Sequence, residues 1–496
     1  MIKDVKDFFC NYMFQIAGFA ARVIIGAATL WLLTNVLGPG GYGTYTVFLM
    51  VVSVGLAFTS NFTHAAVDIT GRDEYIRAGH IRGTFWAESA LLGVLLTGIC
   101  IAGYFYRDVL SGYIGIVPGM CGLVLLYLIV SALAQFLQDC FQITSRMRKF
   151  ALVPLSVPAV FAALLAWSYL SGRGLNVELA ITFGVIAAVA GMAAGLLFLD
   201  KELIWPAVFD PGKAGELILL SLPFVFSGVA GYVFDWVDLV VIKRFLTSAD
   251  VGIYALAYQM TAFLIIFTRL TTNLNVSIIT NWKIQGRDDL VRFFVERTVP
   301  QVTFVFSLVL VVCMTLAGAI FKIFRPEYLP GVPVFVILIS SVCFRNLHAL
   351  QAPVLTAYRI IVPCSVVSVL AVLVNFAADM AMVPVIGIIG PAIATFLAVL
   401  FSALFQTLFI DRRLGTNSAS HYLCSAPALA ALPVCFFPGI PQAVRLVLGA
   451  LIIVISVMAA RRAALLKSSD MELYNSMDLP GFISSGLGKI SRVLIA

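Results

Sequence analysis

The sequence is short of charge. Of its 496 residues only 11% are Asp, Glu, Lys or Arg, whereas 61% are hydrophobic. Soluble proteins carry roughly 25% charged residues, so a chain of this length and composition cannot cover itself with a hydrated surface. It can be stable where lipid is the solvent of that surface. The composition therefore argues against a soluble protein and predicts a polytopic membrane protein.

Sequence signals of several other protein classes are missing. The nine cysteines are scattered, mostly in apolar runs, without a C-x-x-C pair, which argues against a disulfide framework or a zinc site. The first apolar segment, from about Phe14 to Leu37, is too long for a signal-peptide core, so we expect a permanent helix. A phosphate-binding loop for ATP is not visible. The net charge of +7 indicates membrane topology rather than nucleic-acid binding.

Long apolar runs are what the chain has in abundance. A membrane-spanning helix needs roughly 20 apolar residues, and fourteen segments meet that requirement. Prolines lie at or near several of the junctions, where a helix break costs little. The predicted spans are residues 11–36, 42–68, 84–106, 113–143, 151–171, 176–199, 217–242, 250–280, 298–323, 332–358, 361–383, 386–410, 420–437 and 440–460.

The distribution of lysine and arginine predicts the orientation. With the N-terminus in the cytoplasm, 22 of the 32 basic residues fall in cytoplasmic segments and 7 fall outside. Cytoplasmic segments of membrane proteins carry an excess of positive charge, so this bias supports fourteen spans with both termini in the cytoplasm. We call the predicted cytoplasmic side the inner side and the opposite side the outer side. No segment between spans is long enough for an attached catalytic domain.

A short turn occurs twice. Residues 37–45 read LGPGGYGTY and residues 246–254 read LTSADVGIY, each with Gly at its seventh position and Gly-x-Tyr at its end. Six predicted spans separate the copies, and an even number returns the chain to the same side. The pattern therefore predicts a parallel repeat of two six-helix bundles, which is one of the standard plans of transporters. Chance similarity of two turns is the alternative.

Polar residues inside the spans are candidates for the substrate site. Three of them are arginines: Arg22, Arg269 and Arg345. An arginine at the bilayer centre costs about 2.5–3.5 kcal/mol on insertion scales, so each should face a wet or protein-lined interior. Gln15 lies two turns before Arg22 on the same helix stripe, and Asn273 lies one turn beyond Arg269.

A lumen that holds several arginines suits an anionic substrate, because a guanidinium binds phosphate or carboxylate with a planar pair of donors. We therefore predict that these three arginines, with Gln15 and Asn273, contact the substrate. The alternative is that the arginines pair with buried carboxylates and only hold the helices together.

Four acidic or histidine residues inside the spans are candidates for binding a coupling ion: His64, Asp235, Asp238 and Asp379. A carboxylate in low dielectric binds a proton more readily than in water, and histidine titrates near neutral pH. Structural pairing is the alternative for each of them. The inner end of the fourth predicted span, residues 113–143, carries a further polar stripe that we predict to be an interfacial face. Its residues are Gln135, Gln138, Asp139 and Gln142.

Five stretches in this order resemble the polysaccharide transporter, or O-antigen flippase, family of the multidrug/oligosaccharidyl-lipid/polysaccharide exporter superfamily. They are residues 37–43, 250–258, 325–328, 375–384 and 387–395. The resemblance implies a flippase that moves an undecaprenyl-pyrophosphate-linked oligosaccharide, such as an O-antigen or exopolysaccharide repeat unit, across the bacterial inner membrane. It implies no enzyme activity, no cofactor and no metal.

The resemblance also implies an architecture. Two six-helix lobes would enclose a cationic cavity in which Arg22, Arg269 and Arg345 hold the pyrophosphate, while the polyprenyl tail stays in the membrane lipid. Transport would draw on H⁺, Na⁺ or the membrane potential, and polysaccharide polymerase and chain-length proteins would be partners. The predicted segments are lobes 1–200 and 217–411, linker 201–216, accessory helices 412–463 and cytoplasmic tail 464–496.

Two other functions compete with this one. A cation-coupled multidrug antiporter of the same superfamily would need an acidic pocket, which Asp235, Asp238 and Asp379 could supply, but the three arginines count against it. A multipass glycosyltransferase, ligase or polymerase would need a large outer loop with catalytic residues, and the predicted outer loops are short. A non-transporting scaffold is a further alternative.

Overall fold

The computed structural model describes the backbone of residues 2–172, 174–437 and 439–467. Within these ranges, the side chains of residues 2–17, 19, 223–230, 266–274, 277 and 361 lie outside the described part. Throughout the described residues the chain is helical, with short 3₁₀ and π segments and no strand. The predicted all-α class is therefore confirmed.

The helices are long and joined by short connections, as the spacing of the apolar runs predicts. Most of them lie at predicted spans, and the shortest ones cap or connect their neighbours. In chain order they are α1 (Ile2–Ala57), α2 (Ser60–Ala78), α3 (Arg82–Phe105), α4 (Arg107–Ile114), α5 (Cys121–Ile143), α6 (Met147–Leu152), α7 (Ser156–Leu170), α8 (Val177–Phe198), α9 (Lys201–Ile204), α10 (Pro211–Phe245), α11 (Ser248–Ile284), α12 (Asp288–Phe293), α13 (Val299–Phe321), α14 (Gly331–Ala357), α15 (Ile361–Ile386), α16 (Ile389–Leu414), α17 (Ala419–Leu423), α18 (Ala426–Phe436) and α19 (Gln442–Arg462).

Helix α1 contains the first predicted span and the start of the second. Its two parts meet at Gly38, whose φ of 66° and ψ of 179° are not helical. A side chain would be strained at this positive φ, which explains the glycine. Pro39 follows immediately, at the start of a helical segment, where its missing N–H costs no hydrogen bond. The second span is interrupted again at Thr59 and continues as α2.

Eleven helical segments of the described chain are long and apolar enough to cross a membrane. The second part of α1 is counted with the first, and α10 and α11 occupy predicted spans 217–242 and 250–280 without being among the eleven. The structure thus confirms a multi-pass membrane protein, while the number of fourteen spans stays a prediction.

The chain forms two compact units, residues 1–255 and 256–496. In the first unit, α1 packs against α5, α6, α7 and α8, and α10 packs against α2 and α3. In the second unit, α14 is the core: 78% of its most apolar window is buried against α13, α16 and α18, compared with 17% for α19. The predicted lobe boundaries, with a linker at 201–216, stay a prediction.

The two copies of the repeated turn lie against each other in the first unit. A Cβ added to Gly43 would lie 1.8 Å from the carbonyl oxygen of Ser248, and a Cβ added to Gly252 would lie 2.0 Å from that of Pro39. Each glycine is the seventh residue of its copy, and each oxygen belongs to the third residue of the other. The contact is therefore reciprocal, as in a two-fold symmetric interface.

Candidate functional site

Helices α2 and α5 bring a histidine and a carboxylate together next to the interruption at Thr59. His64 Nδ1 lies 3.0 Å from Asp139 Oδ2, with 42% of the histidine side chain and 8% of the aspartate side chain exposed. The prediction that Asp139 belongs to an interfacial face was wrong, because α5 turns this residue inward against α2. His64 therefore forms the accessible end of a pair whose other member is buried.

Glu88 on α3 is the most deeply buried carboxylate near this pair. It is 1% exposed, and the hydroxyl of Thr63 donates a hydrogen bond to its Oε1. Its other oxygen, Oε2, has no hydrogen-bond partner among the described residues. Thr63 precedes His64 on α2, so its hydrogen bond places Glu88 beside the pair. Three helices thus place two carboxyl groups and one imidazole in a low-dielectric region, where a full set of ionised carboxylates is costly.

A separate chain of neutral hydrogen bonds runs from α5 through the start of α2 to α10. Ser60 donates to Gln135 Oε1 at 3.0 Å, and Gln135 Nε2 in turn donates to Asn61 Oδ1. Asn61 then donates from Nδ2 to the hydroxyl oxygen of Tyr232. These hydrogen bonds link α5, α2 and α10, so a displacement of α10 would strain the hydrogen bonds at the start of α2.

A cavity of about 320 Å³ adjoins the same network inside the first unit. Its wall combines apolar side chains of several helices with a band of neutral polar ones. The polar residues are Ser53, Tyr127, Ser131, Gln135 and Gln138. Since Gln135 belongs both to this wall and to the hydrogen-bond chain, the cavity is connected through that chain to Asn61 on α2 and Tyr232 on α10.

The inner end of α2 is tied to α10 by an ion pair. Glu74 accepts hydrogen bonds from the backbone N–H groups of Gly83 and Thr84, each at 2.9 Å, and from the Thr84 hydroxyl at 2.8 Å. Lys213, in the first turn of α10, donates to the same carboxylate. Burial opposes the ionisation of Glu74, but these hydrogen bonds outweigh it and lower the pKa of Glu74 to about 2.

The two aspartates of α10 occupy different surroundings. Asp238 is 3% exposed and accepts a hydrogen bond from the hydroxyl of Tyr254, the last residue of the second turn copy. Asp235 is exposed. The structure therefore gives Asp238 a positioning role at the start of α11, and leaves the predicted ion-coupling role of both residues untested.

Two predicted site residues of the second unit, Arg345 and Asp379, have described side chains. Arg345 on α14 is half-buried, whereas Asn375 and Asp379, one turn apart on α15, are completely buried. All three interact with other groups. The substrate-contact role of Arg345 and the ion-coupling role of Asp379 stay predictions.

A neutral network that the sequence did not indicate lies nearby in the second unit. Gln351 Nε2 and the Tyr422 hydroxyl both donate to Thr407 Oγ1, at 2.8 and 2.9 Å. His421 is completely buried, with Nε2 2.7 Å from the carbonyl oxygen of Val295 and Nδ1 3.4 Å from Gln351 Nε2. This geometry fits a neutral imidazole with its proton on Nε2.

The remaining predicted substrate residues divide into two groups. Arg22 is half-buried on α1 and interacts with another group. The side chains of Gln15, Arg269 and Asn273 lie outside the described part of the chain. That the three arginines share one cavity stays a prediction. The residue that sequence reasoning missed most clearly is Glu88, although a single carboxylate inside an apolar span was a sufficient signal.

Comparison with known proteins agrees with the resemblance. A family model described as polysaccharide biosynthesis protein matches residues 7–271. The probable low-salt glycan biosynthesis flippase Agl15 of Haloferax volcanii is 23% identical over 235 residues, which cover 46% of this chain and 48% of the relative. The chain thus aligns with about half the length of that curated relative.

Solved structures share the fold. The lipid II flippase MurJ in an inward closed conformation matches with a TM-score of 0.68 at 13% identity, covering 92% of this chain and all of that one. An inward-facing multidrug resistance transporter of the MATE family matches with a TM-score of 0.63 at 13% identity, covering 79% of this chain and 94% of that one. At these identities the likeness concerns the fold alone.

Proposed function

The chain belongs to the polysaccharide biosynthesis protein family, and from that premise we propose that it is a flippase for a lipid-linked oligosaccharide. The transport cycle would be alternating access, in which a central site opens first to one side of the membrane and then to the other. The protein would act as a carrier and not as an enzyme. The relatives whose names state a function are flippases or transporters.

The observation that carries this proposal is a pair of contacts near the two ends of α10. At its beginning, Lys213 binds Glu74 of α2, and past its middle, Tyr232 binds Asn61 of α2. Just beyond its end, Gly252 meets the first turn copy. Residues 213–245 form a helix about 48 Å long at 1.5 Å per residue, which exceeds the roughly 30 Å of a bilayer core. A carrier needs one closable contact at each face, and we infer that these two contacts have that role.

We further propose that the substrate is an undecaprenyl-pyrophosphate-linked repeat unit of an O-antigen or exopolysaccharide. Arg22, Arg269 and Arg345 would bind its pyrophosphate and any acidic sugars, because guanidinium groups pair with such anions. Gln15 and Asn273 would supply further hydrogen bonds to the head group. The polyprenyl tail would remain in the bilayer throughout, so it would never be exposed to water during transport.

The proposed location is the bacterial inner membrane, with both termini in the cytoplasm. Coupling would come from H⁺, Na⁺ or the membrane potential, with His64, Asp235, Asp238 and Asp379 as candidate ion-binding residues. A polymerase and a chain-length protein that accept the flipped repeat unit would be partners on the outer side.

The test is translocation in inverted membrane vesicles loaded with labelled undecaprenyl-pyrophosphate oligosaccharide. We expect Arg22→Ala and Arg345→Ala to lower the rate by roughly tenfold or more, because each removes a charge-assisted contact worth about 1.5–3 kcal/mol. Arg325→Ala is the matched control, since Arg325 is exposed outside the described helices. Equal rates for all three variants would contradict a cationic binding site.

A cation-coupled multidrug antiporter is the alternative, favoured by the number of buried carboxylates in the described chain. Asp238, Asp379 and Glu88 are each at most 3% exposed and would suit a cationic cargo. A small cationic dye in the same vesicles distinguishes the two functions. If the dye crosses and the oligosaccharide does not, the antiporter function replaces the flippase.

A further inference from the structure

The two copies of the repeated turn make a contact in which backbone meets backbone. The α-carbons of Gly43 and Gly252 each face a carbonyl oxygen of the other copy, so close that a methyl group on either would overlap that oxygen. A Cβ on Gly43 would also lie 2.9 Å from the amide nitrogen of Gly252, and the reverse distance is 2.9 Å as well. Since the obstructing atoms are backbone, no change of rotamer can relieve the overlap.

The two sides of this contact differ in how firmly they are held. On the α11 side, Thr247 and Asp250 hydrogen-bond each other's side chains and backbone, and Lys243 donates to Ser248 at 3.0 Å. Tyr254 is bonded to Asp238 of α10. These bonds fasten the start of α11 to the end of α10.

On the α1 side, the contact is preceded by a break in the helix at Gly38. Gly38 is the one non-helical residue inside α1, and it lies immediately before Pro39, whose carbonyl oxygen Gly252 touches. A residue that can adopt several backbone conformations lets the two parts of α1 change their angle. Helix α1, which can bend at Gly38, therefore packs against the start of α11, which is hydrogen-bonded to α10. The two helices touch at Gly43 and Gly252.

We propose that this reciprocal glycine contact is the outer gate of the transport cycle. It seals the outer face while cargo enters from the inner side, and it parts by rotation at Gly38 when cargo leaves. This inference rests on the proposed function, because a gate has a role only in a protein that transports a cargo. The contact itself is made by backbone atoms, so it opens by movement of the helices that carry the two turns.

The side chains around the contact make a tight seal. Val47, one turn after Gly43, and Val251, next to Gly252, are completely buried, and Tyr254 is 1% exposed. A thiol placed at Val47 would therefore be hidden from water while the gate is closed. It would become reactive only when the two turns separate.

The experiment measures the reaction of Val47→Cys with a charged maleimide in lipid nanodiscs, with the chain that lacks this cysteine as background. Added to Val47→Cys, Gly252→Ala should accelerate labelling by about tenfold or more, because overpacking a close contact costs roughly 1–3 kcal/mol and here penalises the closed form alone. Gly40→Ala is the matched control: it lies in the same turn, and its Cβ meets nothing within 4 Å.

Labelling of the Gly252→Ala protein at the parent rate would overturn the gate. If this variant does not fold, labelling of Val47→Cys alone decides the question: it should react faster while labelled oligosaccharide is being translocated, and an unchanged rate during measured translocation would overturn the proposal. Because the nanodisc assay contains no cargo, accelerated labelling in Gly252→Ala supports the gate even if the parent protein fails to move the oligosaccharide in vesicles.

Discussion

Two polar networks, one in each compact unit, differ in the charge of their members. The network of the first unit contains His64, Glu88 and Asp139, and one oxygen of Glu88 has no hydrogen-bond partner among the described residues. In the second unit, Thr407 accepts two hydrogen bonds and donates one to the carbonyl oxygen of Ala403 at 2.8 Å. Both networks lie among apolar helices, yet the first is built on carboxyl groups and the second on neutral groups, with His421 as a neutral imidazole.

The difference teaches which network is suited to stability and which to function. A buried neutral network holds helices in one arrangement through its hydrogen bonds, even where, as here, Gln351 Oε1 has no partner among the described residues. A buried carboxyl group with an open acceptor is costly, so it persists where it has a task. The charged network also adjoins the interruption between α1 and α2 at Thr59. We therefore expect substitutions in the first network to impair transport and those in the second to impair folding.

The largest effect is expected for Glu88→Gln. The amide keeps an acceptor for Thr63 and nearly the same volume, but it cannot bind and release a proton. We expect the translocation rate to fall by at least roughly tenfold, which is about 1.4 kcal/mol in the barrier, with little change in the temperature of unfolding. Translocation in vesicles and thermal unfolding in detergent are the two measurements.

The matched control for that substitution is Glu202→Gln, because Glu202 is exposed on α9 of the same unit. Parent-like transport in both variants would remove the functional distinction between the two networks. A large fall in unfolding temperature for Glu88→Gln would instead make the first network a structural one.

A smaller effect, on stability and not on transport, is expected for Thr407→Val. Valine has the shape of threonine but neither accepts nor donates, so Gln351 and Tyr422 lose a shared partner. We expect the protein to lose about 1–3 kcal/mol of stability, seen as a lower unfolding temperature, and to transport normally once folded. Thr356→Val is the control, because Thr356 is exposed and bonds only its own helix. A parent-like unfolding temperature would show that this network does not stabilise the unit.

The smallest effect is expected at the ion pair of Glu74 and Lys213, which is charged like the first network but fully bonded. Lys213→Met should cost about 1–2 kcal/mol of stability, compared with no change for Lys201→Met at an exposed site.

The pH dependence of that cost follows from the lowered pKa of Glu74. A carboxyl whose pKa falls from about 4.5 to about 2 on folding adds stability that is complete above the unfolded value and disappears as the pH falls through the folded one. The difference between parent and Lys213→Met should therefore be constant from pH 5 to 8 and shrink below about pH 4.5. Unfolding measured against pH checks this, and a difference that already changes between pH 6 and 8 would contradict it.

Part of the candidate site could be predicted because burial in a membrane makes polar residues conspicuous. Arg345, Asp238 and Asp379 were identified from single letters within apolar runs, and each is buried or half-buried. Asp139 was misassigned because a polar stripe near the end of a span looks the same whether it faces the interface or another helix. The choice between them depends on the rotation of α5 about its axis.

The sequence by itself determined the class of protein, the positions of its helices, and the repeated turn, because hydrophobicity and helix breaking are local properties of the chain. Only the tertiary structure decided that His64 meets Asp139 and that Gly43 and Gly252 touch through their backbones. These pairs are 75 and 209 positions apart. Their meeting depends on the relative rotation and register of packed helices, which many side chains set together and no single stretch encodes.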